Sequence, residues 1–484
     1  MNKEDKVEIS KDFQVPLCVD LDGALSRTNL LLEAFFCLIK QNPFMLFRLT
    51  FWFFLDRAKF REKIFSNAKL SVDLVPWNYE LIDWLREQKG QGRNLILLTG
   101  PCRLIADQVS DYFGFFDEVI SHEDCALKGQ AKSKFLCDRF GIRQFAYIGQ
   151  SMIDLYIWQQ ARSSVIVSSS AKINKYALTS SNVEKQLPGP GNPLRLVFKA
   201  IRVHQWPKNW LLFLPMILMH YYDNWEVAYS VLIGVLAFTL TSSSVYIVND
   251  LLDLESDRRH PDKRNRPFAS GRLSMSWGLV LAPSLLVIGM VFGSLVSADF
   301  LGVLLFYYLT TVVYSFWLKK VALIDVLVLA HLYTWRIFAG VVAIDEVFST
   351  WLFMFAGFFF LSLALIKRYS ELILTKENRK AANSRRGYAV EDIPQLVSFG
   401  TSSGYMSVLV LALYFHSDEV RILYHRPDLL WLTCPLLLYW ISHMWLQAHR
   451  GYMHSDPLIY AMKDKLSYLV MFSVLTVWLF SSVM

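Results

Sequence analysis

Nine apolar segments follow one another after residue 194, and they limit what this chain can fold into more than any other feature. Most are close to the roughly 20 residues that a helix needs to cross a bilayer. The segments are 210–222, extended backwards by a helix from 194, and then 227–248, 277–296, 300–318, 321–344, 350–366, 396–415, 429–446 and 466–483. We therefore expect residues 194–484 to form an all-α membrane domain of nine transmembrane helices.

The charges between these segments predict how the chain is oriented. Cytoplasmic loops of membrane proteins are rich in Lys and Arg. Basic residues fill every second loop, at 258–272, 319–320, 367–386 and 450–465. The intervening loops are poor in them. We therefore expect an integral protein of the bacterial inner membrane, with a cytoplasmic N-terminal domain and a C-terminus on the opposite side.

The net charge of +7 agrees with basic cytoplasmic loops and with anionic lipid or phosphate ligands. Proteins that bind nucleic acid combine basic patches with recognisable modules in which aromatic residues are interleaved. The sequence contains no module of this kind. We therefore expect the membrane as a partner and no nucleic-acid partner.

An acidic stretch stands at the end of the second apolar segment. Asn249, Asp253 and Asp257 recur every four residues, and Asp250 precedes Asp253 by three. On a continuous helix these side chains share one face. Clustered carboxylates with few other ligands favour Mg²⁺, which keeps several waters and is usually completed by substrate phosphates. The stretch predicts a Mg²⁺–diphosphate site, and a solvated loop beside the membrane is the simpler alternative.

Cations near the ends of the apolar segments are candidates for binding the phosphate oxygens that a metal does not reach. The candidates are Lys208, Lys263, Arg264, Arg266, Lys319, Arg336, Lys367 and Arg368. Lys367 and Arg368 have a second interpretation, as plain anchors at the cytoplasmic surface. Tyr314 is a further substrate-binding candidate, with a place in the interfacial aromatic belt as its alternative.

Arg336 lies inside an apolar run, where an unpaired charge is costly and usually functional. Asp325 lies eleven residues earlier, about three helical turns away, so the two side chains would be on the same side of their helix. We expect both to face the substrate cavity. The alternative is that Arg336 extends to the membrane surface or pairs with another helix.

Residues 1–178 have the pattern of a cytoplasmic α/β domain. Apolar runs at 15–20, 94–98 and 145–148 suit buried parallel strands, whose following loops form ligand crevices. A helical insertion lies between the first two, and its part at 44–60 mixes Phe and Leu with charged residues. We expect this part to lie on the bilayer surface, with a helix in the domain core as the alternative. The Ser-, Pro- and Gly-rich residues 179–193 are expected to be a linker.

Four short motifs of this domain resemble those of the haloacid dehalogenase superfamily. In chain order they are Asp20-Leu21-Asp22-Gly23, Thr99, Lys132 and Gly149-Gln150-Ser151-Met152-Ile153-Asp154. The resemblance implies a parallel sheet with a helical cap. It also implies that Asp20 is a phosphoryl-accepting nucleophile and Asp22 a general acid and base.

The same resemblance implies that Thr99 and Lys132 hold phosphoryl oxygens, and that Asp20 and Asp154 hold Mg²⁺. The sequence departs from the family at two positions, with Ala24 in place of a Thr and Gln150 in place of an acid. A neutral amide is a weaker ligand than a carboxylate for a hard cation. The domain is therefore either a phosphatase or a degenerate domain retained for docking or regulation.

The second part of the chain is similar to the UbiA-type intramembrane prenyltransferase superfamily. Asn249-Asp250-x-x-Asp253-x-x-x-Asp257, with the later Arg266-Pro267, resembles its first aspartate-rich motif. Segments 202–209, 260–267, 314–319, 367–372 and 450–457 resemble the decaprenyl-phosphate phosphoribosyltransferase-like branch. Around Asp325 there is one acid where quinone-pathway members carry two or more, which leaves a second metal cluster incomplete.

This resemblance implies a Mg²⁺-dependent transfer of a 5-phosphoribosyl group from phosphoribosyl diphosphate to a polyprenyl phosphate. Asp250, Asp253 and Asp257 would be the catalytic carboxylates, and the N-terminal domain could then remove the 5-phosphate. Two alternatives stay open. One is a prenyltransferase that moves an isoprenoid chain from its diphosphate to an aromatic acceptor, and the other is a membrane scaffold with an inactive phosphatase-like domain.

Overall fold

The computed structural model describes residues 15–55, 57–100, 103–121, 129–189, 191–347, 349–377, 387–417, 420, 423–453 and 456–483. These residues form two compact units. The first contains the described residues up to Ile201 together with Tyr246–Ala282, and the second contains Arg202–Val245 together with the described residues from Pro283 onward. The aspartate-rich stretch therefore belongs to the same unit as the α/β domain.

A six-stranded sheet, parallel throughout, forms the centre of the first unit. Its strands are β1 (Leu17–Asp20), β2 (Leu95–Thr99), β3 (Glu118–Ser121), β4 (Ala146–Gly149), β5 (Ser163–Val167) and β6 (Val183–Leu187). They lie in the order β3-β2-β1-β4-β5-β6. The chain order reverses at β1 and β4, where parallel sheets form their ligand crevice. The predicted N-terminal parallel sheet with helices is confirmed.

Nine helices accompany the sheet in the part of this domain that the structure describes. They are α1 (Leu30–Gln41), α2 (Met45–Phe53), α3 (Arg57–Asn67), α4 (Tyr79–Gly90), α5 (Arg103–Phe113), α6 (Gln130–Phe140), α7 (Leu155–Trp158), α8 (Ala171–Ser180) and α9 (Pro193–Ala200). Short 3₁₀ helices cover Val72–Leu74 and Met152–Asp154. The side chain of Asn29 caps α1 by accepting the Leu32 N–H at 3.1 Å, which satisfies one free donor of the first turn.

Four phenylalanines on and beside α2 project out of the protein. Phe44, Phe47, Phe51 and Phe54 are 68% to 87% exposed. Their spacing of three, four and three residues places them on one helical face. This exposure argues against a helix in the domain core, and the predicted position on the bilayer surface stays a prediction.

The segment 179–193, expected to be a linker, is only partly a connecting segment. It contains β6, which pairs with β5 in parallel. The sequence Val-Glu-Lys-Gln-Leu of this strand lacks a continuous apolar run because an edge strand has one neighbour and stays partly exposed. The sheet therefore extends through Leu187, and the boundaries of the domains otherwise stay a prediction.

Eight helices in the described part of the chain are long and apolar enough to cross a membrane. They are α11 (Trp225–Leu252), α13 (Met275–Val296), α14 (Ala298–Phe316), α15 (Ile324–Ala343), α16 (Thr350–Glu377), α17 (Ile393–Phe415), α18 (Thr433–His449) and α20 (Lys465–Val483). Shorter helices are α10 (Phe213–Leu218), α12 (Leu254–Arg259) and α19 (Pro457–Ala461), with 3₁₀ helices at Val203–Leu212, Tyr221–Asp223, Lys263–Asn265, Leu318–Lys320, Val390–Asp392 and Pro427–Leu432.

The first predicted crossing, 210–222 with its extension back to 194, is not one continuous helix. Helix α9 ends at Ala200, and Arg202 adopts a left-handed conformation with φ of 54°. A 3₁₀ segment with an internal proline, Pro207, follows, and then the six-residue α10. A proline lacks the N–H that a helix interior needs, which favours short pieces here. The described residues thus provide eight candidate crossings and do not confirm the ninth.

The 3₁₀ segment Val203–Leu212 packs against α15 at very short range. A Cβ atom on Gly340 would lie 2.3 Å from the carbonyl oxygen of Leu212, so only glycine fits at this position. Close approach through small residues is a common way to pack helices within membranes. The contact fixes the segment that carries Lys208 and Asn209 beside the helix that carries Arg336.

Candidate active site

A cavity of about 320 Å³ lies at the carboxyl ends of β1 and β4. Asp20, Asp22, Thr99, Lys132 and Asp154 all line it, so the structure brings together the five residues predicted from the sequence. The Nζ of Lys132 donates to Asp20 Oδ1 at 2.8 Å. The parallel register explains this convergence, because β1 ends at Asp20 beside β4. The cavity is lined by two cationic side chains, Lys132 and Arg61, and by three carboxylates, which suits a phosphorylated ligand.

Tyr147 is buried behind this cavity, in contact with two residues that line it, and it was not predicted from the sequence. Its hydroxyl accepts a hydrogen bond from Lys132 at 2.9 Å and donates to Asp20 Oδ2 at 3.2 Å. The same hydroxyl lies 3.5 Å from Asp154 Oδ1. Burial raises the pKa of Tyr147 well above its usual range, and the charges of Asp20 and Asp154 raise it further. The tyrosine therefore stays neutral between the two carboxylates.

Asp154 is largely engaged in its own turn. Its Oδ2 accepts hydrogen bonds of 2.9 Å from the N–H groups of Gln150 and Ser151 and from the Ser151 hydroxyl. The amide of Gln150 packs against Gly23, where a Cβ atom would come within 1.6 Å of it. These side chains fit Mg²⁺ poorly as ligands. Asp20 and Asp154 already accept hydrogen bonds from the protein, and the third group, Gln150, is a neutral amide where Mg²⁺ favours a carboxylate. The metal role of Asp20 and Asp154 stays a prediction, and we derive no step through a metal here.

Asp22 faces the same cavity in a different environment. Desolvation within the cavity raises its pKa to about 6, the N–H of Leu30 opposes this rise, and the charge of Asp20 adds to it. The Leu30 N–H, at the start of α1, lies 3.1 Å from Asp22 Oδ1. A carboxyl group with a raised pKa suits proton transfer near neutral pH. This environment is compatible with the general acid and base role that the resemblance implies.

The aspartate-rich stretch is not the continuous helix that the spacing predicted. Helix α11 ends at Leu252, Asp253 lies between helices, and α12 starts at Leu254. The backbone still links the acids, since the Asp253 N–H donates to Asn249 O at 2.9 Å and the Asp257 N–H to Asp253 O at 2.8 Å. The four-residue spacing is therefore kept through a local break.

Two of these carboxylates converge on one cation. The Nη1 of Arg266 lies 3.0 Å from Asp250 Oδ1 and 2.7 Å from Asp257 Oδ2, and both aspartates are buried. Burial raises the pKa of Asp257, and the charge of Arg266 opposes that rise. The two oxygens thus define a position that favours positive charge.

The donor set of this stretch fits Mg²⁺. The described residues contain no group of three or more His, Cys, Asp or Glu side chains placed to hold a metal by themselves. Mg²⁺ sites often use one or two carboxylates, with waters and substrate phosphates as the other ligands. Asp250 and Asp257 would supply the carboxylates, and the amide of Asn249 and the carboxylate of Asp253 lie in the same turn. Lys263 and Arg264 follow in the 3₁₀ helix Lys263–Asn265.

In the second unit, two lysines share one aspartate whose side chain is 10% exposed. Asp456 Oδ2 accepts hydrogen bonds from Lys208 at 2.8 Å and from Lys367 at 3.2 Å. The hydroxyl of Tyr333 lies 2.9 Å from Lys208 and 3.3 Å from Asp456. Burial alone would raise the pKa of Asp456, but the charges of Lys367 and Lys208 hold it well below its usual range. One carboxylate against two ammonium groups leaves an excess positive charge that favours an anion.

Asp456 and Tyr333 were not predicted as site residues. Asp456 has a sequence signal, since it precedes Pro457 and caps α19 by accepting the Leu458 N–H at 3.2 Å. That signal indicates a helix start and says nothing of the lysines, which lie far away in the sequence. Lys319, another candidate, lies half-buried in the 3₁₀ helix Leu318–Lys320.

Arg336 forms hydrogen bonds with residues other than Asp325, the acid that precedes it on the same helix. It donates to Asn209 Oδ1 at 2.9 Å, to the Leu332 carbonyl at 2.6 Å and to the Tyr307 hydroxyl at 2.7 Å. Its guanidinium also lies over the rings of Tyr307 and Tyr333. The expectation that Arg336 faces a cavity together with Asp325 is therefore not supported, because packing against neighbouring helices buries it.

Asp325 instead forms a buried cluster with Arg368. The Arg368 Nε donates to Asp325 Oδ2, its Nη1 to Glu371 at 2.6 Å, and its Nη2 to the Tyr314 hydroxyl at 3.3 Å. The Tyr388 hydroxyl donates to the other oxygen of Asp325. The interpretation of Arg368 as a plain surface anchor does not agree with this burial. Contact of these residues with a substrate stays a prediction.

Comparisons with known proteins identify a family and several relatives of this chain. Residues 209–463 match the UbiA prenyltransferase family. The chain is 34% identical over 462 residues to the uncharacterised protein y4nM of Sinorhizobium fredii, and this alignment covers 95% of this chain and 89% of that protein. It is 33% identical over 275 residues to the nodulation protein NoeC of Azorhizobium caulinodans, and this alignment covers 56% of this chain and 88% of that protein.

A third relative is a decaprenyl-phosphate phosphoribosyltransferase of Mycolicibacterium smegmatis. The chain is 36% identical to it over 200 residues, which is 40% of this chain and 63% of that protein.

Proposed function

Because this chain belongs to the UbiA prenyltransferase family, we propose that it is a membrane transferase that moves a 5-phosphoribosyl group from phosphoribosyl diphosphate to a polyprenyl phosphate, with Mg²⁺ as cofactor. The observation that carries this proposal is the pair Lys208 and Lys367 around Asp456. Similarity to a decaprenyl-phosphate phosphoribosyltransferase supports the same substrate class. We place the α/β domain on the cytoplasmic side, as the loop charges predict.

The donor side of the reaction is assigned to the aspartate-rich stretch. The bond between the anomeric carbon and the diphosphate breaks, so negative charge grows on the leaving group and positive charge on the sugar. Mg²⁺, when bound, neutralises the leaving diphosphate. Asp250 and Asp257 would hold the metal, and Arg266 would turn from these carboxylates to the phosphate oxygens. Lys263 and Arg264, in the same loop, would contact the outer phosphate.

The acceptor side is assigned to the lysine pair. An oxygen of the polyprenyl phosphate forms the new bond to the anomeric carbon as the diphosphate leaves, and no proton has to move. Lys208 and Lys367 would hold the acceptor phosphate, with Asp456 keeping the two ammonium groups close together when the phosphate is absent. A transfer of phosphoribose needs cations for more phosphate groups than a transfer to an aromatic ring does.

A second activity is proposed for the α/β domain, on the observation that five predicted residues line one cavity. We propose that this domain removes the 5-phosphate of the lipid product, as its resemblance to the haloacid dehalogenase superfamily implies. Asp20 would attack the phosphorus, Lys132 and Thr99 would hold the phosphoryl oxygens, and Asp22 would pass a proton to the leaving oxygen. Water would then release phosphate from Asp20.

The test uses the purified full-length protein in detergent with Mg²⁺, labelled phosphoribosyl diphosphate and a polyprenyl phosphate, with the lipid product identified by mass. We expect a phosphoribosyl-lipid that is lost with Asp250→Ala. A further loss of one phosphate that disappears with Asp20→Asn would support the second activity, while the transfer itself continues.

Two outcomes would contradict the proposal. If no labelled lipid forms while the donor stays intact and the protein is folded, phosphoribosyl transfer is wrong. A product formed instead from a polyprenyl diphosphate and an aromatic acceptor would favour prenyl transfer. If neither reaction occurs and the Asp20→Asn protein behaves like the wild type, the scaffold interpretation gains support.

A further inference from the structure

One helix connects the α/β cavity to the aspartate-rich stretch, and all residues concerned belong to the first unit. The N-terminus of α1 lies at the cavity, where Asp22 accepts the Leu30 N–H. Its last turn carries Lys40. The twelve residues of α1 span about 18 Å, at 1.5 Å per residue. The two candidate sites of this unit are therefore joined by a single rigid element.

The middle of α1 is tied to the loop after the aspartates by a buried ion pair. Arg258 donates through Nη1 to Glu33 Oε2 at 2.8 Å and through Nη2 to the other oxygen of Glu33. Its Nε donates to the Ala269 carbonyl at 2.8 Å. The side chains of Arg258 and Glu33 are 9% and 3% exposed. A two-point arginine–carboxylate contact fixes both distance and orientation.

A second contact fits the same loop against the α/β domain. Gly271 has a φ of 68°, and a Cβ atom there would lie 2.7 Å from the Cβ of Arg27 and 3.1 Å from a ring carbon of Pro76. This close approach is independent of the Glu33–Arg258 pair. Together the two contacts hold the loop that contains Arg266 on the domain that carries α1.

At the end of α1, Lys40 reaches the aspartate-rich stretch itself. Its Nζ lies 3.3 Å from Asp253 Oδ1, with the side chains 36% and 26% exposed. Such a partly exposed pair contributes little to stability. Its ammonium group, however, is fixed beside a carboxylate of the proposed metal site, where a diphosphate would bring several oxygens.

We propose that Lys40 is a further residue of the transferase site, supplied by the α/β domain, and that it contacts the diphosphate of the metal-bound donor. The Glu33–Arg258 pair positions it there. When Asp253 turns to the metal, the ammonium group of Lys40 exchanges this carboxylate for phosphate oxygens. The inference rests on the proposed function, because it takes the aspartate-rich stretch as the donor diphosphate site.

The test measures binding of Mg²⁺ with inorganic diphosphate to the full-length protein by titration calorimetry, without any turnover. The variants are Lys40→Ala, Lys40→Arg and Asp250→Ala. Lys69→Ala is the matched control, since Lys69 is an exposed lysine that lines the same small gap between α1 and Leu251. We expect Lys40→Ala to weaken binding about tenfold, the scale of one charge-assisted hydrogen bond. Lys40→Arg should restore most of it, and Lys69→Ala should bind like the wild type.

The outcomes separate this inference from the proposed function. Equal binding by Lys40→Ala and the wild type, with binding lost in Asp250→Ala, would overturn the role of Lys40 and leave the transferase proposal standing. Tighter binding by Lys40→Ala would show that the lysine only competes with the metal, which also overturns it. No binding by the folded wild type would refute the diphosphate site itself and the inference with it.

Discussion

Arg368 and Asp325 form an ion pair whose side chains are 2% and 0% exposed. The pair joins α15 to α16, and Arg368 also reaches the partly exposed Glu371. Taking one partner away from a buried pair leaves an uncompensated charge, at a cost of about 3–5 kcal/mol. A pair near the surface costs about 1 kcal/mol or less to break.

We therefore expect Asp325→Asn to lower the Tm of the purified protein markedly. Glu371→Gln is the matched control, because it removes a carboxylate from the same guanidinium at a position that is 43% exposed. Its Tm should stay close to that of the wild type. Thermal unfolding in detergent measures both, and equal Tm values for the two variants would contradict the structural importance of the buried pair.

Metal binding should show itself as stabilisation. A ligand that binds only the folded state stabilises that state, so the Tm rises as the ligand concentration exceeds the Kd. We expect Mg²⁺ with inorganic diphosphate to raise the Tm of the wild type and to have no effect on Asp250→Asn, because Asp250 is one of the two carboxylates that meet at Arg266. Asp299→Asn, which changes an exposed acid at the start of α14, should keep the shift. A shift that survives in Asp250→Asn would place the metal elsewhere.

The lysine pair should govern affinity for the lipid phosphate. Lys367→Gln removes one charge-assisted contact, worth about 1.5–3 kcal/mol, so we expect the KM for the polyprenyl phosphate to rise at least about tenfold. The KM for the sugar donor should change much less. Lys463→Gln is the control, since Lys463 is exposed in the same loop as Asp456. The opposite pattern, with the donor KM rising and the lipid KM unchanged, would reverse our assignment of the two substrates.

The apolar face beside α2 should be in contact with lipid. A spin label on Phe51→Cys is expected to be relaxed more by oxygen, which dissolves in the bilayer, than by a water-soluble nickel complex. Tyr79→Cys provides the comparison, because Tyr79 is also exposed, at 61%, but starts α4 instead. Apolar faces of this kind bind the interface between headgroups and acyl chains. Equal relaxation at both positions in liposomes would argue against this contact.

The part of the candidate site that could be predicted consists of residues whose positions follow from the nearby sequence. The residues Asp20, Thr99, Lys132 and Asp154 come together because parallel strands end at one edge of their sheet, and short apolar runs reveal those ends. Asp20 and Thr99 end their strands and Lys132 lies in the first turn of α6, whereas the four residues were singled out together by their resemblance to family motifs, and their roles stay a prediction. Tyr147 escaped notice because it lies within β4, where an aromatic residue looks like ordinary core.

The partners of buried charges could not be predicted in the same way. Asp325 and Arg336 were expected to face one cavity, without pairing directly, because they lie three turns apart on one side of a helix, and helical periodicity is the strongest local signal. In the structure each has side-chain partners on other helices, Arg368 for the acid and Asn209 for the base. Such pairs depend on which helices pack against one another, and the spacing of residues within one segment gives no information on this packing. The break between the helices at Asp253 could not be predicted from the spacing either, because the four-residue repeat continues across it.

Glu33 and Arg258 lie on opposite sides, in sequence, of the connecting segment that follows Leu187. A protease that nicks the chain in that segment would therefore cut the covalent link and leave this buried contact in place. The α/β fragment would then elute together with the remainder under mild conditions and separate more readily when charge pairing is disrupted. In such a nicked protein the domain would act as a detachable subunit, and restoring it in trans would be a way to measure what the transferase gains from it.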